Sequence, residues 1–358
     1  MAVSKRARVR QWSYVLGASV AAMAAASASP AAAQCTPDPT IRNGLSDCTG
    51  TDNNGLVVST NGTRVTVATD AIVRSGTAAG AITFTEANGS LTVNGLIDGG
   101  TKAGIAVVGG PTSIVPCDPY AGASVGYCPP GSVETNYPWA TANVVVAEGA
   151  SVTGAQAVLM DRVAENTRGY VSVSVDNAGT MVGTAGPALV NAANGNSMLS
   201  VTNRATGRIN GISGATYVTN AGMIDGKSGS AITIASSTNY ASISNTGSIV
   251  SSGTAATVST ADAASITNSK GAVLGGGTNA ISSGGALTLT NEGTINGSVI
   301  STAPAGQNSV IDTRNGIING DLILGAGNDT LRAQFDAASG RISSITGTID
   351  GGRVATLS

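Results

Sequence analysis

Histidine is absent from this chain of 358 residues, and charge and aromatic rings are scarce, at 11% and 3% of the sequence. Without histidine there is no Ser-His-Asp or Cys-His nucleophile system and no His-ligated metal site. Low charge combined with 42% hydrophobic residues excludes simple disorder, which needs the opposite balance. The apolar residues are mostly Ala, Val and Ile. Side chains that small cannot fill a broad globular interior, so the expected core is thin and repetitive. What is plentiful is glycine, with 49 residues, nearly twice the ordinary share of about 7%.

The N-terminus has the layout of a secretory signal peptide. Lys5, Arg6, Arg8 and Arg10 form a basic start, an alanine-rich apolar stretch runs from about Tyr14 to Ala26, and Ala31-Ala32-Ala33 precedes Gln34. The apolar stretch is too short to span a hydrocarbon core of ~30 Å. Cleavage is expected between Ala33 and Gln34. Gln34 is not small, which argues against lipidation at Cys35. Loss of residues 1–33 removes four of the 18 basic residues and none of the 20 acidic ones, leaving 14 against 20 and a net charge of −6. A nucleic-acid partner is not expected from such a chain, because phosphate binding needs a basic surface. No later stretch is long and apolar enough for a transmembrane helix.

An even number of cysteines in an exported chain reads as disulfides. The four are Cys35, Cys48, Cys117 and Cys128. Three pairings exist, and the local ones, Cys35–Cys48 and Cys117–Cys128, are preferred because each closes a short loop. The spacing fits neither a CxxC redox motif nor a metal site.

The remainder repeats itself. Runs such as Val171-Ser172-Val173-Ser174-Val175 and Leu287-Thr288-Leu289-Thr290 alternate small apolar and polar residues, the pattern of strands with one buried face. Glycine turns follow, as in NAGTM from Asn177, NAGMI from Asn220, NTGSI from Asn245 and NEGTI from Asn291. Aligned asparagines at 220, 245, 268, 291 and 315 are 25, 23, 23 and 24 residues apart, and the step from 203 to 220 is one short turn of 17. Fixed-period self-similarity marks a solenoid or propeller. About three short strands per repeat, and no blade signature, favour a parallel β-helix of about 23 residues per turn. Glycine then marks the bends, and equivalent asparagines stack their amides along the axis. Helix content should be negligible. Weaker copies extend the coil back to about residue 50, giving about 12–13 turns and ~60 Å at ~4.8 Å per turn.

This divides the chain into a signal peptide (1–33), an N-terminal cap (34–50), first turns (51–110), an insertion (111–139) and further repeats (140–358). The insertion holds six of the 11 prolines, the Cys117–Cys128 pair, and Tyr120, Tyr127, Tyr137 and Trp139. Proline cannot donate to a sheet ladder, so this segment is expected to project as a disulfide-stapled loop. Insertions within one repeat often line the binding face, which makes the four aromatics the candidate contact surface. The alternative is a decorative insertion whose rings pack against the coil.

Catalytic signals are weak. The densest charged group, Asp161, Arg162, Glu165 and Arg168, suits a solvated turn as well as a glycosidase pair, whose separation the sequence does not show. In GDLILGAGNDTL, Gly325, Gly327 and Asp329 match half of a calcium-binding nonapeptide. Such sites take ligands from tandem copies, so a β-helix corner is the expected role. No catalytic residue, metal site or cofactor is expected.

Taken together, the signal peptide, the NxGxI-type repeats and the LGAGNDTL segment resemble a bacterial autotransporter passenger domain. The resemblance implies a right-handed β-helix carried to the cell surface by an outer-membrane translocator barrel. It implies a structural or adhesive, non-enzymatic role toward a glycan or protein on a host or neighbouring cell. The alternating strands and terminal aromatic of that barrel are missing here, Phe335 being the last aromatic residue. The expectation is therefore a passenger without its translocator, at the surface or outside the cell, or in the periplasm if no translocator carries it. The rival readings are a polysaccharide lyase or hydrolase and an inactive passenger fragment.

Overall fold

The computed structural model describes residues 34–110, 113–116, 133–136, 139–162, 170–193, 197–234, 241–337, 341–352 and 354–357. The signal peptide expected at 1–33 lies outside them. Among the described residues there is no helix, and the chain coils as a parallel β-helix.

Three ladders of stacked strands make the walls. The first contains fourteen strands, all parallel except Cys35–Thr36, which pairs antiparallel with Leu45–Cys48. The thirteen parallel ones give the number of turns that the repeat spacing predicts. The second ladder runs through strands such as Thr180–Gly183, Met223–Asp225 and Ser248–Val250. The third runs through Ala103–Gly109, Val158–Arg162, Leu189–Asn191 and Ile232–Ile234. The long strands Val273–Ser283 and Thr294–Ser301 each serve both of these ladders, turning the corner through register shifts between Gly275 and Ile281.

Strand alternation explains the interior. All three ladders point aliphatic residues inward, as with Val201, Ile209 and Ile212, then Val218, Ile224 and Ile232 in the next turn. The first ladder thus stacks Val144, Val175, Val201, Val218, Ile243 and Ile266, all buried. Burying each such side chain contributes about 1.5–3 kcal/mol before chain entropy is counted. Because every turn is covered by the next, stability accumulates between neighbours and no large ring is needed.

The first wall ends on the side chains that the repeats single out. Asn177, Asn203, Asn220, Asn245, Asn268 and Asn291 are buried in one column. Each donates from Nδ2 to Oδ1 of the next asparagine, at 2.8 to 2.9 Å, across steps of 26, 17, 25, 23 and 23 residues. The column ends where Asn291 donates to Thr313 Oγ1 at 3.1 Å. Asn315, which the repeat alignment placed next, is therefore not the following member; strand register puts Thr313 there. Toward the N-terminus the same column continues as Val146, Val93, Val67 and Cys48.

The parallel turns begin at Leu45–Cys48, inside the segment set apart as a cap. Cys35 and Cys48 form a disulfide, at a sequence separation of 13, and both are buried. The buried Asp52 carboxylate accepts from Cys35 N at 3.1 Å, Asn54 N at 2.9 Å and Gly55 N at 3.0 Å. These contacts fasten the first strand over the end of the coil. A short disulfide loop of this kind contributes about 3 kcal/mol, mainly by restricting the unfolded chain. Cys35→Ala with Cys48→Ala should lower the resistance of the first turns to proteolysis by that amount and leave the turns beyond Asn177 unaffected. Digestion rates unchanged at the N-terminal turns would contradict this role for the cap.

Candidate functional site

Differences in turn length fall mainly at one corner of the coil. Segments 163–169, 194–196 and 235–240, like the insertion, each lie between a strand of the third ladder and the next strand of the first. Between Asn177 and Thr294 the first-to-second connections hold only two to four residues.

The insertion leaves this corner after Gly109 and returns at Ala140. Within it, Ser113–Pro116 pairs antiparallel with Val133–Asn136. The expected loop therefore has a two-stranded stem, and Pro116 sits at the end of an edge strand, where a missing donor is tolerated. Cys117, Cys128, Tyr120, Tyr127 and Tyr137 lie outside the described residues, as does the Cys117–Cys128 pairing.

Trp139, the last candidate aromatic, is described and is 67% exposed. Ala140, Ala142 and Val144 point inward, so Trp139, Thr141 and Asn143 share the outer face. Val171 pairs with Ala140, which sets Tyr170 beside Trp139 on the next turn, and Ala140 N donates to Tyr170 O at 3.0 Å. Tyr170 is also exposed. Two rings thus stand at equivalent positions on adjacent turns. Sequence reasoning missed Tyr170; its signal was a ring just before an alternating strand, in phase with Trp139.

Beside these rings lies a shallow depression of about 280 Å³, lined by Gly62, Thr63, Asn88, Gly89, Ser90, Thr141 and Asn143. Its floor is polar backbone and small side chains. A Cβ on Gly89 would crowd the buried Phe84 ring and Thr63 O, so glycine lets this strand close over the interior beneath the depression. The surface offers two flat apolar rings next to hydroxyl and amide groups, an arrangement that suits a sugar or a peptide edge.

The remaining candidates take structural places. Arg162 N donates to Asp161 Oδ1 at 2.8 Å, and burial lowers the Arg162 pKa against the opposing effect of Asp161. Glu165 and Arg168 lie outside the described residues. Asp329 is buried and accepts from Ser309 N at 2.6 Å, while Gly325 and Gly327 pack against carbonyls of the preceding turn. These three residues build a corner. Among the described residues, no group of three or more Cys, Asp or Glu could hold a metal ion.

No family model matches the chain, and neither a curated protein nor a solved structure matches it.

Proposed function

We propose that this protein is an exported, autotransporter-type β-helix that acts non-enzymatically in adhesion at the bacterial surface. The observation that carries this reading is the exposed Trp139–Tyr170 pair, set on adjacent turns beside a polar depression at the corner where the insertion emerges. Rigid aromatic anchors on an ordered scaffold lose little conformational entropy on binding. The stacked turns fix the anchors where the variable connections rejoin the coil, so the scaffold can stay constant while the corner changes. The partner is a glycan or protein on a host or neighbouring cell, and an outer-membrane barrel is the expected carrier for display. The signal-peptide layout and the repeats support the same assignment.

Binding of the exported chain to cell surfaces, matrix proteins and a glycan array tests the proposal. Trp139→Ala should weaken the bound fraction at least about tenfold, as expected for an aromatic hot spot, without changing thermal stability. A chain that binds none of these surfaces, or binds them equally well as Trp139→Ala, would contradict it.

A further inference from the structure

A second site forms at the opposite kind of corner, where connections are short. The link from the first to the second ladder is Arg204 to Gly207 in one turn and 269–272 three turns later. Between these four-residue connections lie two of only two residues, Ala221-Gly222 and Thr246-Gly247. The long connections stand as walls and the short ones form a floor. The result is a groove of about 570 Å³. Its walls are three turn spacings apart, roughly 14 Å.

The floor is kept bare by stacking. A Cβ on Gly222 would overlap Arg204 O and Gly207 O, and one on Gly247 would overlap Gly222 O. The hydroxyls at the groove are oriented by backbone: Thr206 Oγ1 donates to Ala178 O at 2.8 Å and Thr246 Oγ1 to Asn220 O at 3.2 Å. Their lone pairs remain available to accept from a ligand hydroxyl.

Arg208 is the charged residue of the groove lining. The neighbouring acids are already engaged, Asp176 with Arg204 at 2.6 Å and Asp225 with Lys227 at 2.8 Å. Arg208, which lines the groove and is exposed, donates to the Met223 thioether at 3.4 Å. Sulfur is a weak acceptor, so the guanidinium retains donors that match a carboxylate in the two-bond geometry typical of arginine.

We infer that this groove binds an acidic oligosaccharide, with Arg208 holding a uronate carboxylate and Thr206 and Thr246 accepting from sugar hydroxyls. The inference extends the adhesive reading by naming a ligand class, but it uses a corner that Trp139 and Tyr170 do not reach.

Titration calorimetry of the exported chain with tetragalacturonate, and with the same oligomer methyl-esterified, tests the assignment. The acidic oligomer should bind, and esterification or Arg208→Gln should each weaken binding at least about tenfold, the range for a hydrogen bond to a charged group. Arg208→Lys should fall between the two, since it keeps the charge and loses the fork. Trp139→Ala should leave this titration unchanged, even where it abolishes cell attachment. Absence of binding, a less than twofold effect of both Arg208→Gln and esterification, or equal weakening by Trp139→Ala would overturn the assignment.

Discussion

Replacing Asn245 with alanine should destabilise the turns around it by roughly 4 kcal/mol. Asn245 Nδ2 donates to Asn268 Oδ1 at 2.9 Å and Val273 O at 3.0 Å, and its Oδ1 accepts from Asn220 Nδ2 at 2.8 Å and Gly247 N at 3.2 Å. Truncation removes these four hydrogen bonds from a buried column, at about 1 kcal/mol each, and Asn220 Nδ2 and Gly247 N keep their backbone acceptors. Asn177 begins the column and follows Val146, so its Oδ1 has no asparagine donor below it. Asn177→Ala should therefore cost visibly less than Asn245→Ala. Thr290→Ala, on the exposed face of the same wall, should stay within about 0.5 kcal/mol. Urea-dependent hydrogen exchange read turn by turn checks all three, because nearest-neighbour stability confines each loss to adjacent turns. Equal losses at Asn245 and Thr290 would show that the column does not hold the wall.

Phe84→Ala should cost about 3–5 kcal/mol, the range for deleting a buried phenyl ring. Phe84 is fully buried and is the largest of the enclosed side chains. It stacks between Val58 and Val107, where neighbouring turns offer only smaller groups to refill the space. Its ring also lies beneath Gly89, which lines the depression next to Trp139. The substitution should thus lower the thermal midpoint and weaken surface attachment together. Phe84→Leu, which refills most of the volume, should recover most of both. A midpoint unchanged by Phe84→Ala would contradict the packing described for the first turns.

The features most legible in the sequence are those that stacking imposes on every turn. Asparagine at the end of a strand closes the amide column, and the glycine two residues later gives way to the carbonyls of the turn below. The asparagine recurs with each of these turns and the NxG text with four of the six, at Asn177, Asn220, Asn245 and Asn291, which is why the sequence reveals the coil. The earlier turns read weakly because the same column there holds Val67, Val93 and Val146, residues with no distinctive signal. Asn315 was misassigned because the alignment followed residue type, whereas backbone register places Thr313 above Asn291.

The candidate sites were legible to different degrees. Trp139 stands out by composition, while Tyr170 becomes significant only when Ala140 is paired with Val171. The groove at Arg208 arises from a difference in length between neighbouring corners. Its text, RATG at Arg204 against AG at Ala221, is visible only after the turns are in register. Long-range pairing across successive turns therefore assembles the candidate surfaces, and local motifs carry the scaffold.

A continuous buried amide column holds the wall while the corners vary. Hydrogen exchange of the asparagine side-chain carboxamides, followed by NMR, measures this directly. The carboxamides of Asn203, Asn220, Asn245 and Asn268 should exchange orders of magnitude more slowly than those of exposed asparagines such as Asn53. Exchange of all of them at the rate of a free carboxamide would contradict the fold and both sites built on it.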